Sequence, residues 1–99
     1  MILVRDIFHL KFGKAKQAKA LLKEAEGINK KYGFQNSRAL TDLVAGRSYT
    51  LVLESEWNTL AEWENSLQQG LGAEDWQKWY AEFVPFVEKA SREIFNIIQ

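Results

Sequence analysis

Residues Arg47–Trp57, RSYTLVLESEW, place their largest apolar side chains at every second position from Tyr49 to Leu53 and again at Trp57. In extended backbone, successive side chains point to opposite faces. Tyr49, Leu51, Leu53 and Trp57 therefore share one face, and Ser48, Thr50, Val52, Glu54 and Glu56 share the other. The first face requires an apolar cover. The second is too apolar to be left wet along its length and too polar for an ordinary core. A chain holding this strand must build a sheet with a layer on one side and must also account for the other side.

The chain has 99 residues, enough for one core and not two, so residues 1–99 are read as one domain. The formal net charge is zero, which argues against a nucleic-acid partner. The zero hides an asymmetry. Lys11, Lys14, Lys16, Lys19, Lys23, Lys30 and Lys31 crowd the first third, while Glu54, Glu56, Glu62, Glu64, Glu74, Asp75, Glu82 and Glu88 crowd the later part. There is no cysteine, so disulfides, thiolate metal ligands and thiol nucleophiles are excluded. The opening MILVRDIFHLKFGK carries charges inside its apolar run and reads as a strand rather than a signal peptide. No apolar run is long enough to cross a bilayer, and a cytoplasmic location is expected.

Taken in order, Ile2–Phe12 predicts a first strand, rich in β-branched and aromatic residues and ended by Gly13. Ile2, Val4, Asp6, Phe8, Leu10 and Phe12 share one face; Leu3, Arg5, Ile7, His9 and Lys11 share the other. Lys14–Tyr32 has helical spacing in Ala15, Ala18, Leu21, Leu22, Ala25 and Ile28, with Gly33 suited to the residue after the helix. Phe34–Ala45 predicts a weaker strand, its alternation blurred by Asn36, Arg38 and Asp42 as at an edge or in a bulged strand, joined through the short turn Ala45-Gly46-Arg47 to the alternating strand as a hairpin. Thr59 and Glu62 have capping-box spacing and open a helix that Gly70-Leu71-Gly72 breaks. A further helix starts near Ala73, carries Trp76, Trp79, Tyr80, Phe83, Val84 and Val87 at helical spacing, and is kinked or ended near Val84 by Pro85. Arg92–Ile98 predicts a last strand, interior or covered on both faces.

The order βαββαβ in a chain of this size implies a ferredoxin-like α+β fold: one four-stranded antiparallel sheet with its helices on one face. Right-handed crossovers put the third strand beside the first in the centre. The lysine-rich first helix then lies beside the acid-rich later ones, and mutual attraction along that seam accounts for the charge asymmetry. The second face of the sheet, with Arg5, Ile7, His9, Thr50, Val52, Glu54 and Glu56, would be covered by the same face of a second copy.

Four segments carry a family resemblance: Lys11-Phe12-Gly13-Lys14, the hairpin containing Gly46, the passage Glu54-Ser55-Glu56-Trp57-Asn58-Thr59 with Trp63 following, and the tail from Phe86 to Ile94. In this pattern the chain resembles the dimeric α/β-barrel superfamily, and within it the NIPSNAP-like and antibiotic-biosynthesis-monooxygenase-like families. The resemblance implies two ferredoxin-like sheets paired into a barrel, hence a homodimer. It also implies a place for a small apolar or aromatic ligand between sheet and helices, bounded here by Tyr49, Trp63 and Tyr80. Haem-degrading members hold iron with a histidine in the second helical region. Trp76, Trp79 and Tyr80 occupy that region here, so haem binding does not carry over, and no cofactor or metal is expected.

The candidates for chemistry are few. His9 is the single histidine, and a lone histidine without carboxylate partners makes no metal site. The plain reading is that this histidine or an arginine pairs with Glu54 or Glu56 inside a subunit interface. Asp6 sits on the apolar face of the first strand, where a carboxylate is desolvated unless it is paired. Asn58 could join Trp63 and Tyr80 in a pocket, although aromatics at helical spacing are more often core. Asp6, His9 and Asn58 are thus the catalytic candidates. No triad, phosphate loop or paired metal-ligand motif appears. The expected function is a small homodimeric binding or assembly protein. The alternative is a cofactor-independent monooxygenase acting on a small aromatic or apolar compound. Whether the chain is an enzyme stays open at this point.

Overall fold

The structure is a computed structural model that describes residues 1–32 and 37–98. Its elements are β1 (Ile2–Leu10), α1 (Ala15–Lys31), β2 (Arg38–Thr41), β3 (Thr50–Trp57), α2 (Leu60–Leu71), α3 (Glu74–Phe83), a 3-10 turn at Val84–Phe86, and β4 (Val87–Asn96). The strands form one antiparallel sheet in the order β2-β3-β1-β4. This is the expected ferredoxin-like arrangement, with β1 and β3 central.

Register fixes which residues share a face. Val4 pairs with Ser55, Asp6 with Leu53 and Phe8 with Leu51, so the apolar residues of β1 and β3 lie together under the helices. Two buried clusters form there. One gathers Leu10, Ala18, Leu22, Ala25, Leu51, Trp79 and Phe83; the other holds Ile2, Val4 and Trp57, with Trp63 against it. Phe83 anchors the larger cluster, edge-on to Phe8 at 5.1 Å and stacked on Trp79 at 4.9 Å.

The helix ends follow local chemistry. The Glu62 amide donates to the Thr59 hydroxyl at 3.2 Å, so Thr59 is the N-cap of α2 as its spacing predicts. Lys30 and Lys31 sit in the last turn of α1, where the helix dipole favours cations. The expectation for Gly33 lies outside the described residues. The predicted break at Gly70 falls later: α2 continues through Leu71. A glycine in a helix costs about 1 kcal/mol relative to alanine, which a final turn tolerates. The Leu71 carbonyl accepts a hydrogen bond from the Gln77 side chain at 2.7 Å, which satisfies the end of the helix. At the other boundary, Pro85 ends α3 as expected and lies in the 3-10 turn, so Val87, placed at helical spacing by the sequence, opens β4 instead.

Three strand expectations need correction. β1 stops at Leu10, short of Phe12, which is exposed. The β2–β3 hairpin has no tight turn at Gly46; residues 42–49 connect the strands. The reason is Asp42, whose carboxylate accepts from the Tyr49 and Thr50 amides at 3.2 and 2.9 Å. Those donors close a loop instead of extending a ladder. Tyr49 takes a φ of 59°, which turns the chain into β3. Within the predicted span of the second strand, residues 34–36 lie outside the described residues, and the strand occupies Arg38–Thr41 only.

β4 departs most. It begins at Val87, well before Arg92, and it is an edge strand rather than an interior one. Its apolar end misled the reading, since Ile94 and Phe95 are exposed in the single chain. Glu88, Lys89, Arg92 and Glu93 put charges along it, a common protection for a sheet edge. The charge seam is also sparser than expected. Lys31–Asp75 is the ion pair that crosses from α1 to α3 among the described residues.

Phe83 is 1% exposed, so Phe83→Ala removes the contacts joining β1 to α3. The expected loss is about 3–5 kcal/mol of unfolding free energy in urea denaturation. A loss below about 1 kcal/mol would show that the larger cluster does not hold the helices to the sheet.

Candidate functional site

A cavity of about 350 Å³ lies between the helix face of the sheet and all three helices. It falls between the two buried clusters. β1 shows why: Asp6 stands between Val4, which belongs to one cluster, and Phe8, which packs on the other. A carboxylate cannot bridge two apolar clusters without a partner. That partner is Arg92, its cross-strand neighbour on β4, whose Nε donates to Asp6 Oδ1 at 2.5 Å. The Arg92 guanidinium also lies over the Trp63 ring, 5.1 Å from the centroid. Trp76 and Tyr80 of α3 add aromatic wall, their ring planes 28° apart.

Polar ties hold the helical roof. The Trp79 indole donates to the Leu21 carbonyl at 2.6 Å, joining α3 to α1. The Tyr32 hydroxyl donates to Asp75 at 3.0 Å, and the Ser66 hydroxyl of α2 donates to the Tyr32 carbonyl at 2.7 Å. The hydrogen bond from Tyr32 lowers the Asp75 pKa, with Lys31 adding to it against partial desolvation. The same bond, with desolvation and the Asp75 charge, raises the pKa of Tyr32.

The opposite face of the sheet carries a row of alternating charge across all four strands: Glu93, Arg5, Glu54, Arg38. Register makes each a neighbour of the next. Arg38 Nε donates to Glu54 at 2.7 Å. Arg5 Nε lies 3.0 Å from the other Glu54 oxygen without hydrogen-bond alignment, so that contact is coulombic; Arg5 also lies 3.5 Å from Glu93. The Glu54 side chain is only 7% exposed, hence the value of two cationic partners. Ile7 and Val52 pair directly beside this row. His9 Nδ1 is 3.3 Å from the Thr50 hydroxyl, whose proton goes to the Arg47 carbonyl at 2.7 Å. That leaves His9 Nδ1–H as the donor to Thr50. His9 therefore meets Thr50 rather than a glutamate, and Glu56 lies opposite Leu3.

The sequence-derived candidates do not converge. Asp6, Trp63 and Tyr80 line the cavity. Tyr49 instead packs on the larger core, edge-on to Phe12 at 5.1 Å. Asn58 is exposed in the β3–α2 passage, outside the cavity lining. His9 is on the other face of the sheet from Asp6. The three catalytic candidates thus occupy three separate places. Among the described residues, no group of three or more His, Asp or Glu side chains could hold a metal ion. No helix among them is long and apolar enough to cross a membrane. Arg92 was missed as a site residue. Its signal was its alternation with Ile94, which assigns it a face but not a partner.

No protein-family model matches this chain, and no curated protein matches it either. Solved structures do. An uncharacterized NIPSNAP domain protein from Burkholderia xenovorans matches with a TM-score of 0.87 at 15% identity, over 99% of this chain and 95% of that one. An antibiotic biosynthesis monooxygenase matches with a TM-score of 0.77 at 11% identity, over the whole of both chains. SnoaB, a cofactor-independent oxygenase from Streptomyces nogalater, matches with a TM-score of 0.75 at 10% identity, over 99% of this chain and 93% of that one. The chain has the ferredoxin-like fold of the NIPSNAP and antibiotic biosynthesis monooxygenase proteins. At these identities the likeness is one of fold, and function has to come from the site.

The Tyr32–Asp75 contact gives a pH test of the roof. Asp75, with its pKa lowered, contributes stability that is present above the ordinary carboxylate range and lost as pH falls through its folded pKa. Tyr32, with its pKa raised, contributes stability that is present below the ordinary phenol range and lost as pH rises through its folded pKa. Tyr32→Phe should therefore lower the urea midpoint most between those two ranges. The gap from wild type should narrow at both extremes, and a gap independent of pH would mean that the contact does not tie the helices.

Proposed function

We propose that this protein binds a small apolar or aromatic compound in the cavity between sheet and helices, and that it does so as a homodimer with the open sheet faces packed together. The observation that carries the binding reading is the cavity itself. Its volume of about 350 Å³ is within the range of small-molecule sites, roughly 300–1,000 Å³, and Trp63, Trp76, Trp79 and Tyr80 give it an aromatic wall beside the Asp6–Arg92 pair. The dimer reading is supported by the row Glu93-Arg5-Glu54-Arg38. Its signs alternate and sum to zero, so a copy related by a two-fold axis can meet it without net repulsion. The half-buried Ile7 and the exposed Phe95 give the same face its apolar component, with Val52 buried beside Ile7. A cytoplasmic setting fits the cysteine-free composition.

An oxygenase activity, as named for two of the fold-mates, has less support. Asp6 is committed to Arg92, and Asn58 stands outside the cavity. Binding is the better reading.

Tryptophan fluorescence titrated with small aromatic compounds tests the cavity directly, since Trp63, Trp76 and Trp79 line it. Saturable changes are expected, and flat titrations across neutral, anionic and cationic compounds would sink the reading. Oxygen uptake in the presence of a bound compound would shift the function toward the oxygenase. Light scattering at micromolar concentration should give the mass of two chains, and Ile7→Asp should give the mass of one. A monomeric wild type would remove the interface.

A further inference from the structure

The chemical class of the ligand follows from what Asp6 leaves unused on Arg92. A guanidinium has five N–H donors. Asp6 takes the one on Nε, and the guanidinium carbon lies 5.1 Å from the centroid of the Trp63 ring. The terminal nitrogens have no protein acceptor among the described residues. They form a fork of the geometry that binds a carboxylate in bidentate fashion. Arg92 lines the cavity, so the fork belongs to the same space as the aromatic wall.

The other charges around the cavity do not compete. Both oxygens of Glu54 are taken, by Arg5 and by Arg38. Asp6 is taken by Arg92 itself. Glu26 is exposed on α1, with no ion pair among the described residues to hold it in place. The charge that is both anchored and unsatisfied is the positive one.

We propose that the cavity takes a mono- or bicyclic aromatic acid, its carboxylate on the terminal nitrogens of Arg92 and its ring against Trp76 and Tyr80. This rests on the reading that the cavity binds an aromatic compound, and it names the class. Asp6 then serves to orient Arg92. The volume of the cavity, at the low end for small-molecule sites, suits a ring system of this size.

Three bicyclic probes of the same shape provide the test: 2-naphthoate, 2-naphthalenemethanol and 2-naphthalenemethylamine, titrated into the wild-type protein by fluorescence and by calorimetry. The carboxylate should bind at least about tenfold more tightly than the alcohol, as expected for charge-assisted hydrogen bonds. In Arg92→Gln the two should become equal, and Arg92→Lys should recover part of the difference, because it restores charge but not the fork. Equal affinity for acid and alcohol in the wild type would overturn the assignment to acids while leaving the cavity as an aromatic site. A preference for the amine would overturn it as well. No binding by any of the three would overturn the cavity reading itself. The wild-type comparison decides the matter even where the Arg92 variants fail to fold.

Discussion

The structure depends on where β1 places its fourth and fifth residues, Arg5 and Asp6. Adjacent residues on a strand face opposite ways, so Arg5 and Asp6 send opposite charges to opposite faces of a central strand. Neighbours on both sides answer them. Asp6 meets Arg92 on the helix face; Arg5 meets Glu54 and Glu93 on the open face. Each pair is a direct cross-strand pair, so a slip of one residue in register would break all of them and would also turn the apolar residues outward. The charges specify the register that the apolar pattern alone would leave to the loops.

The two faces then take different roles from the same strand. Under the helices, the Asp6–Arg92 pair interrupts what would otherwise be one continuous core, and a cavity occupies the interruption. The helices over it are held by contacts at their ends and on one side: Tyr32 to Asp75, Ser66 to Tyr32, and Trp79 to Leu21. Those ties fix α1, α2 and α3 to one another without filling the space above Asp6. On the open face the charges run in a closed row, and their mutual satisfaction lowers the cost of covering them with another surface.

Most of the fold was legible in the sequence because it is written in local signals. Alternation in Arg47–Trp57 assigned both faces of β3 correctly, and Thr59 and Pro85 marked real boundaries. What misled was any signal whose meaning depends on a distant partner. The run REIFNII looks like an interior strand because apolar residues dominate it. Whether a strand lies at the centre or the edge is decided by pairing, which the run does not encode. Asp42 has the same character. Its polarity blurred the second strand, and only the positions of the Tyr49 and Thr50 amides show that it closes a loop. Asp6 was visible as an anomaly on an apolar face, but Arg92 as its partner was not. The candidate site is therefore half legible: the aromatic wall and the acid can be read, and the base that completes them requires the register.

Magnitudes separate a structural account of the Asp6–Arg92 pair from a functional one. Asp6 and Arg92 are partly exposed to the cavity, and an ion pair in such a position contributes about 0–1 kcal/mol. A leucine or isoleucine in place of Asp6 would join the two clusters, and burying such a side chain contributes about 1.5–3 kcal/mol. Stability alone would favour the apolar residue and a closed core. The pair is thus a local departure from what packing prefers, at a point where the rest of the face is consistent with it. Departures of that kind are expected where a protein meets something other than itself. What Asp6 maintains is an arginine beside the ring of Trp63 at the cavity, with donors to spare. That is a poor use of a core position and a good way to hold an anion.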